Sequence, residues 1–280
     1  MFKKRYKKGQ ALLDEIQNTP MDTEELYCWY IGQCGYILRK EVTVYIDPVL
    51  NDLTDETGNS RRYYPVPFAP EQVRANYVLC THAHADHMAL PTVCGIAKAN
   101  PDTRFIVPGD CIPYMLKAGI DGASIIEARA KELLDLPGLK VLPIAAAHPV
   151  HQKTPNGGDT ALSYLLDMNG SRVLHMGDTY LTDPLYTDLK ANCMAPDLFI
   201  TPINGGDYFR TARDCIGNLS AIESARLAVE LSAGITLPSH YDMVMDNTVD
   251  PCDFIHELMK LDTSARFALP ALGERILYRK

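Results

Sequence analysis

Apolar residues in this chain fall into short runs punctuated by Gly, Pro, Asn and Asp, and the period of the pattern changes along its length. Residues 26–31, 36–39 and 42–46 are dense in aromatic and β-branched side chains. With Gly32, Gly35 and the Lys40-Glu41 pair as turns, they predict three consecutive strands. A further apolar run, 77–80, leads straight into His82. Beyond it the period alternates, predicting a helix over 90–99, a strand over 104–107 and a short helix over 111–117. Strands are then predicted over 141–146, 161–166 and 172–175. Ser220-Ala221-Ile222-Glu223 is a capping box opening a helix that runs through Leu231 and stops at Gly234. Another helix opens at Asp250 with Pro251 in its first turn. Residues 1–20 read as a polar helical arm ending at Pro20. No linker separates two halves, so the pattern predicts a single α/β domain over residues 1–280.

Two stretches depart from this rhythm. Residues 51–70 are rich in Asn, Asp, Gly, Thr and Pro and carry Arg61-Arg62-Tyr63-Tyr64. A loop of this length predicts a flap near a functional site. There is also an internal echo: the segment from Tyr36 to Asp47 resembles that from Tyr164 to Asp178, each a strand, a turn and a strand ending in Asp. Two related halves packed face to face would produce it, and so would a coincidence of short hairpins.

Composition narrows the function. The 280 residues suffice for a full core, with 46% hydrophobic and 22% charged side chains. A net charge of −8 argues against nucleic-acid binding, which needs a basic surface, but leaves room for a local basic pocket. The 8 cysteines are scattered without a C-x-x-C pair, which predicts reduced thiols and a cytoplasmic protein. After the basic start only Ala11-Leu12-Leu13 is apolar, too little for a signal peptide, and no run is long enough to span a membrane.

The densest chemistry is His82-Ala83-His84-Ala85-Asp86-His87, where three imidazoles and a carboxylate follow a predicted strand. Such crowding calls for positive ions: His82 and His84 can reach one, Asp86 and His87 a second. Three further apolar runs end in ligand types, delivering His148, Asp178 and His240. Strand ends at one sheet edge are where α/β proteins gather their sites. His151 competes with His148, but only His148 directly follows its run.

The order H-x-H-x-D-H, then His148, Gly177-Asp178-Thr179 and His240, resembles the metallo-β-lactamase superfamily. The resemblance implies a four-layered αββα sandwich, two mixed β-sheets flanked by helices. It implies that His82, His84 and His148 hold one divalent ion, that Asp86, His87 and His240 hold another, and that Asp178 bridges them. Asp47, before Pro48, would orient a ligand histidine, and His175 would support the site or core. Within the superfamily, Trp29-Tyr30-Ile31-Gly32-Gln33-Cys34-Gly35, Pro67-Phe68-Ala69-Pro70 and Leu174 to Tyr180 resemble the bacterial L-ascorbate-6-phosphate lactonases. His148 stands where that family departs from the pattern. Mixed nitrogen and oxygen donors suit manganese, zinc or iron, and the lactonase resemblance tilts towards manganese.

Two ions about 3.5–4 Å apart can share a water and lower its pKa to roughly 7, giving a bridging hydroxide for attack on an ester, lactone or phosphoryl centre. Asp86 and Asp178 are then the catalytic carboxylates, with Asp86 passing a proton to the leaving alkoxide. No G-x-S-x-G or comparable nucleophile element is present. Arg61 and Arg62, or Arg210 and Arg213 after the Asn204-Gly205-Gly206 turn, are candidates to grip a phosphate or carboxylate. Tyr180 and Tyr241, beside Asp178 and His240, are candidates to donate to a substrate oxygen, and Asn204 completes the set. The expected partner is therefore a small, anionic, sugar-derived lactone, with no nucleic acid and no membrane, and a homo-oligomer is compatible with the chain. The alternatives are a phosphodiesterase or nuclease of the same superfamily, and a non-catalytic metal-binding protein.

Overall fold

Alternation along single strands decides the architecture. In β1 (Glu25–Gly32), Leu26, Cys28 and Tyr30 enter one core while Tyr27, Trp29 and Ile31 enter another. A strand buried on both faces must be covered on both. The same split recurs in β3 (Thr43–Ile46) and β4 (Tyr77–Leu79), after β2 (Gly35–Arg39). The computed structural model describes residues 7–21, 24–213 and 215–279, so the first six residues of the predicted arm lie outside the described residues.

The arm is the helix α1 (Gln10–Asn18), whose Leu12, Leu13 and Ile16 are buried against the outer face of the first sheet. Helix α2 (Leu90–Ala99), strand β5 (Arg104–Pro108), helix α3 (Ile112–Lys117) and strand β6 (Ile125–Ala128) follow β4. Then come β7 (Leu134–Leu136), β8 (Leu139–Ala145), β9 (Leu162–Met168), β10 (Ser171–His175), α4 (Asp183–Asn192) and β11 (Leu198–Pro202). The chain ends with α5 (Tyr208–Thr211), α6 (Ala221–Glu230), β12 (Ile235–Ser239), α7 (Pro251–Leu261) and β13 (Arg275–Arg279). Helix α6 carries the expected capping box, Ser220 and Glu223 bonding reciprocally.

A 7-stranded sheet runs β13-β1-β2-β3-β4-β5-β6 and a 6-stranded sheet runs β12-β11-β10-β9-β8-β7. One core lies between them; α1, α2 and α3 cover the first sheet, and α4, α6 and α7 the second. This is the expected αββα sandwich of two mixed sheets flanked by helices. Both strand orders combine an antiparallel pair with parallel neighbours: β2–β3 is antiparallel and β3–β4–β5 parallel, while β9–β10 is antiparallel and β10–β11–β12 parallel. The echoed tyrosines reach across: Tyr36 donates to Pro238 O at 3.4 Å and Tyr164 to Cys80 O at 2.9 Å, each bonding the opposite sheet. Because β3 and β4 run parallel, as do β10, β11 and β12, their C-terminal ends collect at shared edges. The Leu162 N–H bonds Thr81 O at 2.9 Å, and His82 bridges Ala161, which ties those edges together.

No described helix is long and apolar enough to cross a membrane. The 8 cysteines are all unpaired.

Candidate metal centre and substrate cleft

Asp47, just past β3, organises the first part of the site. Its Oδ1 accepts from Thr81 N at 2.7 Å; its Oδ2 accepts from Thr81 Oγ1 at 2.7 Å and lies 2.7 Å from His87 Nδ1. A carboxylate only accepts, so His87 carries a proton on Nδ1 and turns Nε2 towards the other donors. The same logic extends one residue further. Thr81 spends its single hydroxyl proton on Asp47, so at 3.1 Å it accepts from His82 Nδ1, which leaves His82 Nε2 bare. Both Nε2 atoms are buried with no hydrogen-bond partner.

The remaining donors arrive from the second sheet. His148 follows β8 and places Nε2 at 3.2 Å from His84 Nδ1. Asp178 follows β10 through Gly177, whose φ of 59° and contact with Thr81 exclude any side chain: an added Cβ would lie 2.7 Å from Thr81 Cβ. His240 follows β12. Asp178 lies between the groups, 3.3 Å from His87 Nε2, 3.1 Å from His240 Nε2 and 3.8 Å from His148 Nε2. One ligand atom from each of His82, His84 and His148 lies within 4.8 Å of the others, and the same holds for Asp86, His87 and His240.

Non-glycine residues here adopt left-handed backbone: Gln33 at φ 57°, Asp47 at 44° and His240 at 58°. Each such conformation costs about 1–2 kcal/mol and survives where surrounding bonds over-determine it. The His240 N–H bonds Gln33 O at 3.0 Å and the Asp47 N–H bonds Leu79 O at 2.9 Å, which supplies that restraint.

The electrostatics divide the imidazoles into two kinds. Burial pushes His82 well below the usual imidazole range and His148 down to about 4, so both offer lone pairs. Burial also opposes charge on His87 and His240, but the neighbouring Asp178 and Asp86 outweigh it, holding His87 high and His240 up to about 9. Burial alone would raise Asp86 and Asp178; the facing His87 and His240 instead hold both well below the ordinary carboxylate range. Buried imidazole nitrogens beside two anionic carboxylates fit divalent cations, whose charge takes the place of the protons on His87 and His240.

Above this floor opens a cleft of about 440 Å³, lined at the base by His84, Asp86, His148, Asp178 and His240. Asn51, Asp52, Leu53, Thr54 and Arg61 form one wall, so the 51–70 loop borders the site. Arg213, Cys215, Ile216, Val244 and Asn247 form another. The expected arginine pairs are thus rearranged: Arg61 and Arg213 share the cleft, one from each loop.

Their sequence neighbours serve the scaffold. Arg62 is buried, donating to Tyr64 O at 3.3 Å, Val49 O at 3.1 Å and Asn51 O at 3.2 Å. Residues adjacent in extended backbone face opposite ways, and Arg62 bridges Val244 in such a segment. Arg210 pairs with Asp207 and donates to Asn204 O at 2.7 Å and Asn247 Oδ1 at 3.1 Å, so its fork is used internally. Asn204 is buried, bonded to Asn247 and Asn218 at 3.1 Å each, and does not line the cleft. Tyr180 accepts from Gly217 N at 3.1 Å and so fastens the loop carrying Arg213. Tyr241 is buried, stacked on Tyr30 with centroids 6.3 Å apart, away from the cleft lining. His175 is buried; its ring accepts from Gly177 N at 3.2 Å and donates to Cys34 O at 2.8 Å, supporting the turn before Asp178. His151 is exposed, 2.8 Å from Thr182 Oγ1, outside the cluster.

Gln33 and Cys34 escaped the sequence reading. Gln33 Nε2 lies 2.8 Å from Asp86 Oδ2 and 3.0 Å from His240 Nε2, and Cys34 Sγ lies 3.8 Å from Asp178 Oδ1. The sequence signals were their place between Gly32 and Gly35, at a turn between two predicted strands, and within the Trp29–Gly35 stretch that resembles the lactonases. Asp52 was flagged only as part of the 51–70 loop, and Asn247, which also lines the cleft, carried no signal.

Comparison with known proteins agrees with this fold. Residues 42–241 match the family model described as the beta-lactamase superfamily domain, and the chain belongs to that family. A UPF0173 metal-dependent hydrolase of Archaeoglobus fulgidus is 27% identical over 232 residues, covering 80% of this chain and 87% of that protein. Among solved structures, the metallo hydrolase Igni18 of Ignicoccus hospitalis superposes with a TM-score of 0.67 at 18% identity, covering 91% of this chain and 99% of that one. An isothiocyanate hydrolase from Delia radicum gut bacteria gives 0.69 at 14% identity, covering 91% and 100%. At those identities the solved structures speak for the fold alone, the sandwich of the metallo-β-lactamases.

Proposed function

We propose that this chain is a metal-dependent hydrolase of the metallo-β-lactamase superfamily that opens a small anionic lactone or ester. The observation that carries the reading is the convergence of strand-end donors from both sheets, with His82 Nε2 and His87 Nε2 buried and without a hydrogen-bond partner beneath a cleft. His82, His84 and His148 would hold one ion, Asp86, His87 and His240 another, and Asp178 would touch both. Divalent ions bound there supply Lewis acidity and bring the pKa of water to about 7.

The chain's own groups account for the rest. Asp47 and Thr81 hold the Nδ1 side of His87 and His82, so both rings present Nε2 to the cluster without reorienting. Asp86, with its side chain 25% exposed against 4% for Asp178, is the more open of the two carboxylates at the base of the cleft. It is placed to take a proton and pass it to the leaving alkoxide. Arg61 and Arg213 supply forked donors for a substrate carboxylate or phosphate. Cys215 lines the cleft but burial raises its thiol pKa, so it is not poised as a thiolate nucleophile. Preference for a sugar-derived lactone rests on the resemblance of the Trp29–Gly35 and Leu174–Tyr180 stretches to ascorbate-6-phosphate lactonases.

The test is a turnover screen of metal-loaded protein on anionic lactones, their neutral analogues and small phosphodiesters. Chelator-sensitive opening of an anionic lactone is the expected result. Turnover of phosphodiesters alone would replace the lactone reading with a phosphodiesterase, and inactivity on every class would leave a non-catalytic metal-binding protein.

A further inference from the structure

Gln33 sits where a ligand would. It lies in the turn between β1 and β2, fully buried, and its backbone oxygen accepts from His240 N at 3.0 Å. The turn is fixed by Gly32, at φ 102°, where an added Cβ would lie 2.6 Å from the Tyr64 hydroxyl. Its side-chain nitrogen is 2.8 Å from Asp86 Oδ2 and 3.0 Å from His240 Nε2, and those two atoms are themselves 3.5 Å apart. Because a carboxylate only accepts, the contact with Asp86 fixes which end of the carboxamide faces the cluster. The other end, Oε1, is buried with no hydrogen-bond partner among the described residues. Asp86 and His240 thus both contact the Gln33 amide, which puts this carboxamide within reach of an ion that they share. An amide nitrogen bearing protons does not ligate a cation, whereas an amide oxygen does.

We propose that Gln33 is a further ligand of the ion held by Asp86, His87 and His240, its carboxamide turning over on ion binding to present Oε1. This rests on the two-ion reading of the site. The consequence is an asymmetric pair. The position formed by His82, His84 and His148 is rich in nitrogen, while the one formed by Asp86, His87, His240 and Gln33 gains oxygen. Harder, oxygen-preferring cations such as manganese are then favoured at the second position.

The experiment is a calorimetric titration of the full chain with Mn²⁺, wild type against Gln33→Met and Gln33→Glu, with circular dichroism as the check on folding. Wild type should take up two ions. Gln33→Met should keep the first at wild-type affinity and bind the second at least about tenfold more weakly. Gln33→Glu should restore the second to wild-type affinity or better, because it keeps an oxygen donor. A glutamine that merely donates to Asp86 predicts the opposite for Gln33→Glu, since two carboxylates would then face each other. Gln33→Met with both ions at wild-type affinity, or Gln33→Glu as weak as Gln33→Met, would overturn the proposal. Should Gln33→Met not fold, Gln33→Glu decides alone: second-ion affinity below wild type overturns it. A wild type that takes up fewer than two ions overturns the two-ion reading itself, and Gln33's role with it.

Discussion

The floor of the cleft and its rim are built by different means. Floor residues stand at strand ends, and several are fixed from two sides: His87 by Asp47, His240 by the Gln33 backbone, Asp178 by the Gly177–Thr81 contact. The rim comes from the loop around 51–61 and from Arg213, Cys215 and Ile216, and its two arginines are exposed. Errors of a fraction of an ångström matter for ion ligands, so the donors belong on the rigid sheets. Substrate contacts tolerate and exploit variation, so they belong on loops. On the proposed function, the sheets would set the chemistry and the rim the selectivity.

The largest effect should come from breaking the floor at Asp178. Its two oxygens approach His87, His148 and His240, so it touches ligands of both proposed ions. Asp178→Ala should abolish measurable hydrolysis and weaken both ions together, by more than about a hundredfold each. Metal analysis after dialysis, beside kinetics, checks this. An active variant with a full metal complement would remove Asp178 from the floor.

The same contrast explains what could be read from the sequence. The His82–His87 motif, His148, Asp178, His240 and Asp47 were legible because each follows an apolar run, and parallel strands bring such ends together. Gln33 was not, because its meaning comes from packing against His240, distant in sequence and in the other sheet. Arg61 and Arg62 are indistinguishable as letters; the extended backbone sends one to the cleft and the other into the loop's carbonyls. Helix α4 and strands β6, β7, β11 and β13 also went unread. β7 and β13 are edge strands, half-exposed and weakly apolar, whereas β11 is fully buried with only Leu198-Phe199-Ile200 as its signal. α4 begins at Thr182, an N-cap whose helix buries only Leu185 and Leu189. Their formation depends on the neighbours they pack against.

A smaller, more selective effect is expected at the rim. Arg213→Ala and Arg61→Ala should each raise KM for an anionic lactone while leaving its neutral analogue and the metal content nearly unchanged. Losing a charge-assisted contact costs about 1.5–3 kcal/mol, or about ten- to a hundredfold in kcat/KM. Comparing the paired substrates separates a grip on the anion from a role in holding the loop. Equal losses on both would mean that these side chains are scaffold, as Arg62 and Arg210 are.

The smallest effect marks the edge of the floor. His151 lies only three residues beyond His148 in sequence, yet it is exposed and contacts Thr182 Oγ1 at 2.8 Å, the hydroxyl that also caps α4 by accepting from Leu185 N. Removing the imidazole leaves that cap in place and strands no buried polar group. Exposed substitutions of this kind change stability by no more than about 0.5 kcal/mol. His151→Ala should therefore retain its full metal content and wild-type hydrolysis, with a shift in Tm of no more than about 2 °C. Loss of an ion in this variant would exchange the roles of the two histidines. It would also place a ligand on the rim, and the division between a floor set by the sheets and a rim set by the loops would fail at that point.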